Sequence, residues 1–207
     1  MAKSIVKNTK SPIKKSKCTK ETHKIKTVAV YCGHQMGNDR QYARDAEQIG
    51  ELLARNEIGI VFGGSNVGLM GAVSTAALDN GGSVTGISTE HLVNKQEPAH
   101  ERVKVKIVGG LNERKQAMYE IADAFIILPG GVGTLNEVSD ILTMQQIGES
   151  KKPIFFLNTG HFWDLFSLMF VHMMHNGFIE DVKDFSANML AHPDELVAKI
   201  LACNEEQ

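Results

Sequence analysis

The chain has 207 residues, with 22 basic and 24 acidic side chains and a net charge of -2. That length suits one domain with a substantial core, and no apolar run approaches a membrane span. Residues 1–26 hold nine of the basic side chains, all lysine, against one acid, Glu21, so the remainder is clearly acidic. An acidic body argues against nucleic acid as the main partner, because duplex binding rests on neutralising many phosphates.

Residues 1–24 read as a solvated, disordered basic tail, and residues 25–207 as a single domain. The N-terminus has no apolar core of a secretory signal. The cysteines, Cys18, Cys32 and Cys203, are few, odd in number and far apart, which suits a reducing cytoplasm better than a disulfide framework.

In chain order, the apolar run Thr27–Cys32 predicts a central strand, followed by a loop from Gly33. Asn38 or Asp39 is placed to cap a helix reaching about Asn56, with Tyr42, Ala46, Ile49, Leu52 and Leu53 at helical spacing. Ile58–Phe62 is a second strand, Gly63-Gly64 a turn, Val67–Asp79 a small-residue helix and Ser83–Ser88 a third strand. Residues 89–101 read as an irregular polar rim. Arg102–Val108 alternates polar and apolar residues, as a strand at or near a sheet edge does. Leu111–Ile121 is a helix carrying Arg114 and Lys115, and Ala124–Leu128 is the most apolar strand. A helix follows from Thr134 to about Gly148, then a strand at Pro153–Leu157. Phe162–His175 is a helix apolar on most faces, which calls for a deep core or a partner subunit. A short segment near Phe185–Leu190 and a helix from Pro193 to about Cys203 close the chain. Strand and helix alternate throughout, so the fold class is α/β with a mostly parallel sheet. Ligands of such sheets sit at the carboxyl ends of the strands. Three glycine turns fall at such ends, at Gly33, Gly63-Gly64 and Gly130-Gly131.

The stretch from Ile126 to Glu137 reads as a buried strand, a glycine turn and the first turn of a helix. The glycines let a backbone approach a ligand closely, and the free N–H groups of a helix start favour an anion. Glu137 adds a carboxylate one turn in. No Gly-Lys-Ser/Thr follows, so this is not a nucleoside-triphosphate loop, and the third glycine of a dinucleotide fingerprint is missing.

Pro129-Gly130-Gly131-Val132-Gly133-Thr134-Leu135-Asn136-Glu137 resembles the PGGxGTxxE signature of the Lonely Guy (LOG) family. Arg114-Lys115 resembles that family's upstream Arg-Lys pair. Cys32-Gly33, Gly63-Gly64 with Val67–Gly71, and Glu90-His91-Leu92 look like further landmarks, so the similarity runs from about residue 27 to the C-terminus. The resemblance implies a Rossmann-like three-layer fold, a homodimer or dimer of dimers, and no metal or other cofactor. It implies cleavage of the N-glycosidic bond of a purine nucleoside 5′-monophosphate to free base and ribose 5-phosphate. The family's named substrates are cytokinin nucleotides, which are N6-modified AMP. Carried over by position, Arg114 and Glu137 become the catalytic pair. Lys115, Gly64, Glu97, Thr143 and the turn residues Gly130, Gly131, Val132, Gly133 and Thr134 become substrate-binding residues. Three departures stand out: His34-Gln35 after Cys-Gly, Leu111-Asn112 before the Arg-Lys pair, and Asn136 where plant members carry an acid.

The residues themselves agree with that reaction. Glycosidic cleavage passes through an oxocarbenium-like sugar, and a carboxylate stabilises that charge or activates a water. Arg114 would either pair with Glu137 or contact the nucleotide. The rivals are a general AMP nucleosidase and a molybdenum-cofactor carrier that binds without cleaving. Cys32 reads as a buried structural residue, and His172 with His175 as surface or interface histidines rather than half a metal site.

Overall fold

The computed structural model describes residues 24–95, 100–179 and 188–205. The basic tail up to residue 23, Glu97 and Phe185 lie outside the described residues.

Among the described residues seven strands form one sheet: β1 (Thr27–Tyr31), β2 (Gly59–Phe62), β3 (Val84–Thr89), β4 (Lys104–Val108), β5 (Ala124–Ile127), β6 (Ile154–Leu157) and β7 (Met189–Leu190). Their order is β4-β3-β2-β1-β5-β6-β7, and every neighbouring pair is parallel. This is the Rossmann-like arrangement. β5 is wholly buried, as its apolar run requires, whereas β4 forms an edge with four of its five residues exposed. The chain winds outward in one direction from β1 and in the other from β5. These two strands, with Tyr31 beside Ile127, therefore flank the topological switch point.

Helices cover both faces. On one face lie α1 (Arg40–Arg55), α2 (Gly68–Asp79) and α7 (Pro193–Glu205), packed on Val28, Val30, Ile126 and Phe155. On the other lie α4 (Leu111–Ile121), α5 (Val132–Gln146) and α6 (Asp164–His175), packed on Ala29, Tyr31, Phe125 and Phe156. The opposite pointing of successive strand residues creates these two cores. Asp39 is the cap of α1, its side chain accepting from Gln41 N at 2.8 Å.

Three elements differ from the sequence reading. The stretch 89–101 contains a short helix, α3 (Glu90–Val93), started by Thr89, whose hydroxyl accepts from Leu92 N at 3.3 Å. Helix α5 begins two residues early, at Val132, because extended Gly131 serves as its cap. Helix α6 buries none of its residues, which removes the deep-core alternative for it.

Candidate active site

The site begins where the backbone crosses the switch point. Gly33 N donates to Pro129 O at 3.0 Å, and Leu69 N donates to Gly33 O at 3.1 Å, so the turns after β1 and β5 and the start of α2 are tied together. A Cβ at Gly130 would collide with the Thr134 hydroxyl, and one at Gly68 would run into the backbone of His34. Gly64 has φ +76°, a conformation that favours glycine. Within α5 the first backbone bond runs from Leu135 N to Gly131 O at 3.0 Å. The N–H groups that precede it open an anion-favouring helix start.

Arg114 reaches this turn from α4. Its Nε donates to Ile87 O, within β3, at 2.9 Å, and its Nη1 donates to Glu137 Oε1 at 3.0 Å. The guanidinium passes over Gly63, where any Cβ would collide with it. The Gly63 turn therefore makes room for the arginine. Both side chains are nearly out of water, at 12% exposed for Arg114 and 11% for Glu137. Burial pushes the Glu137 carboxyl above the ordinary glutamate range, and the charge and hydrogen bond of Arg114 pull the other way without cancelling it. An acid so placed is a functional candidate on physical grounds.

Other positions singled out in the sequence behave differently. Lys115 is committed to α5: its Nζ donates to Asn136 Oδ1 at 3.0 Å and pairs with Asp140 Oδ2 at 2.5 Å. Thr143 is exposed, and its hydroxyl donates back to Ser139 O at 2.7 Å. Burial first, and the Glu137 charge second, push the Cys32 thiol up, so it stays protonated beside the pair. Val132 projects into solvent at 84% exposed.

A half-open cavity of about 220 Å³ lies between α4 and α5 beside Glu137, with Tyr31 and Tyr119 among its walls. Of its lining residues only Lys115 and Glu137 were expected at the site; the newcomers include Tyr31, Asn112 and Asp140. Tyr31 was legible only as the last residue of a strand at a switch point, and Asp140 as the residue one turn beyond Glu137. Asn112 belongs to one of the departures already noted.

A family model described as possible lysine decarboxylase matches residues 70–200. A cytokinin riboside 5′-monophosphate phosphoribohydrolase from Rhodococcoides fascians is 39% identical over 155 residues, which are 74% of this chain and 78% of the relative. The chain belongs to the LOG family. The LOG enzyme of that name from Oryza sativa subsp. japonica is 39% identical over 159 residues, covering 76% of this chain and 65% of that one. Among solved structures, the molybdenum cofactor binding protein from Rippkaea orientalis superposes with a TM-score of 0.63 at 24% identity, covering 85% of this chain and 95% of that chain. That likeness is one of fold. In LOG terms, the glycine signature is the β5–α5 turn, and the Arg-Lys pair is the part of α4 that leans across to it.

Proposed function

We propose that the protein hydrolyses the N-glycosidic bond of N6-modified adenosine 5′-monophosphate, of the cytokinin-activating type, to free base and ribose 5-phosphate. The observation that carries this reading is the buried Arg114–Glu137 pair set beside the glycine turn that opens α5. The turn, Gly130 to Thr134, holds the 5′-phosphate, with Gly64 at its rim, and so brings C1′ to Glu137. This is catalysis by positioning. As the C1′–N9 bond breaks, its electron pair leaves with the base and the sugar takes on positive charge. The Glu137 carboxylate faces that charge and takes a proton from the water whose oxygen bonds to C1′. Arg114 keeps Glu137 aimed and favours its ionised form. Lys115 and Thr143 act on substrate only by leaving their partners on α5, and Glu97 belongs to the substrate rim as part of this proposal.

A carrier for a phosphate-bearing cofactor needs the cradle but not a buried carboxylate, so the pair favours the enzyme over that reading. No metal or other cofactor is assigned a step, and neither nucleic acid nor membrane is assigned as a partner. Among the described residues no helix is long and apolar enough to cross a membrane. The three cysteines are few, odd in number and far apart in sequence, which fits a cytoplasmic setting. A homodimer or dimer of dimers is part of the proposal, supported by α6, where Leu165 and Leu168 are 79% and 63% exposed.

Incubation with AMP and with isopentenyl-AMP, followed by chromatography of free base and ribose 5-phosphate, tests the reading. The expected result is base from the modified nucleotide in preference to AMP, lost in Glu137→Ala. No base from either nucleotide overturns the enzyme, and release that survives Glu137→Ala overturns the role of that residue.

A further inference from the structure

The cavity between α4 and α5 contains a polar atom that the proposed chemistry has not yet used. Tyr31 is the last residue of β1, 2% exposed, with its ring stacked on Phe125 at 5.8 Å. It lines the same cavity as Glu137. Among the described residues no hydrogen bond to its hydroxyl is seen, and the hydroxyl is not one of the sealed polar atoms, of which Trp163 Nε1 is the one without a partner. The hydroxyl therefore opens on the cavity that Tyr31 lines, and the cavity is the space left for a partner.

The shape and walls of the cavity indicate what that partner is. At about 220 Å³ it is smaller than the roughly 300–1,000 Å³ that holds a whole drug-sized ligand, so it fits one ring system of a nucleotide rather than all of it. Its walls divide by chemistry. Tyr119, Ile141 and Met144 are apolar or aromatic, Asn112 and Gln116 are amides, and Lys115 and Asp140 pair with each other across the wall. The aromatic and apolar walls offer a face to a flat ring, and the amides offer donors and acceptors to its nitrogens. Glu137 lies at one end of the wall formed by α5, and Ile141 and Met144 follow it at helical spacing away from the glycine turn. A nucleotide with its phosphate on the turn and C1′ at Glu137 would direct its base into this space.

We propose that the α4–α5 cavity is the pocket for the departing base, and that the Tyr31 hydroxyl donates a hydrogen bond to a ring nitrogen of that base. This rests on the proposed glycosidase reading. As the C1′–N9 bond breaks, its electron pair moves into the purine, and a donor aimed at a ring nitrogen gains strength as that charge grows. Tyr31 transfers no proton. Burial, and then the Glu137 charge, hold its phenol well above the ordinary range, so it remains a neutral donor while Glu137 is ionised. The proton that completes the base comes from the attacking water by way of Glu137 and solvent.

Such a donor affects the transition state more than the ground state. Tyr31→Phe removes one oxygen and leaves the ring in place. For AMP and isopentenyl-AMP it lowers kcat about tenfold, with KM within about twofold of wild type and an unchanged melting temperature. Gln116→Trp, which fills the mouth of the cavity from the exposed side of α4, raises KM for AMP about tenfold. A Tyr31→Phe kcat within twofold of wild type, or a loss carried by KM alone, overturns the role of the hydroxyl. An unchanged KM in Gln116→Trp overturns the assignment of the pocket. Wild-type turnover is read in the same assay: if wild type releases no base, the glycosidase reading itself has failed, whereas an active wild type with indifferent variants removes only this inference.

Discussion

The two faces of the sheet are built on different principles. On the α1/α2/α7 face, small residues bring helices together until backbones touch. A Cβ at Gly50 of α1 would collide with Val73 O of α2, and one at Gly82 would come 2.8 Å from the Ala54 Cβ. The α4/α5/α6 face is aromatic and less closed. Tyr31, Phe125 and Tyr119 stack at 5.8 and 5.9 Å, the Trp163 Nε1 is buried without a partner among the described residues, and a cavity remains between α4 and α5. The Arg114–Glu137 pair lies on this second side. A close-packed interior tolerates little change in volume. One face can therefore fix the strand ends while the other keeps space, charge and unpaired polar atoms for a ligand.

The sharpest way to break this contrast is at Glu137. Glu137→Gln keeps the shape and a hydrogen-bond acceptor for Arg114 but removes the charge. It should lower kcat for nucleotide hydrolysis about 10³-fold. Base release by a folded variant at more than a tenth of the wild-type rate would detach the chemistry from this face.

The outer surface of the same face gives the next effect. Leu165, Leu168 and Met169 are exposed along α6, and Phe178 just beyond it is 80% exposed. Introducing charge with Leu165→Glu plus Leu168→Glu should halve the particle mass, or reduce it to a quarter, by light scattering after gel filtration. A wild-type chain that already runs as a monomer removes the proposed dimer. On the opposite face, Gly50→Ala should force α1 and α2 apart at a cost of about 1–3 kcal/mol. At roughly 2–4 °C per kcal/mol for a chain of this size, the melting temperature falls by several degrees. The values of kcat and KM per folded molecule should not move. A change in KM would mean that the tight face also shapes the site.

Much of this division was legible in the sequence, and the parts that were not share a cause. The apolar run of β5, the glycine turn and the exposed alternation of β4 are local patterns, and the fold follows them. Helix α3 is only four residues long and lies in a polar stretch, so periodicity had nothing to register. Within the site, Arg114 and Glu137 were placed by resemblance, but their 3.0 Å contact, the passage of Arg114 over Gly63 and the ties of Lys115 to α5 link residues more than twenty positions apart. Tyr31 was read as strand core, and it is core by burial. Only the cavity beside it gives its hydroxyl a further use.

The smallest effect is in pH dependence, and it bears on the cost of an acid on the less closed face. Burial raises the Glu137 carboxyl above its ordinary 4.5, with Arg114 only partly opposing the shift. Hydrolysis needs the carboxylate, so the acid limb of kcat should lie above pH 4.5, with activity rising as Glu137 ionises. Stability follows the opposite sign. A group whose folded pKa is raised binds its proton more tightly in the folded state. Its stabilising contribution is complete below the unfolded value and is lost as pH rises through the folded value. In that window wild type should gain activity while losing a little thermal stability relative to Glu137→Gln, which has nothing to ionise there. Melting curves and kcat across the same buffers check both signs. An acid limb at or below 4.5 would mean that Arg114 outweighs burial, and that the pair is a stabilising ion pair rather than a carboxylate held ready at a cost to the fold.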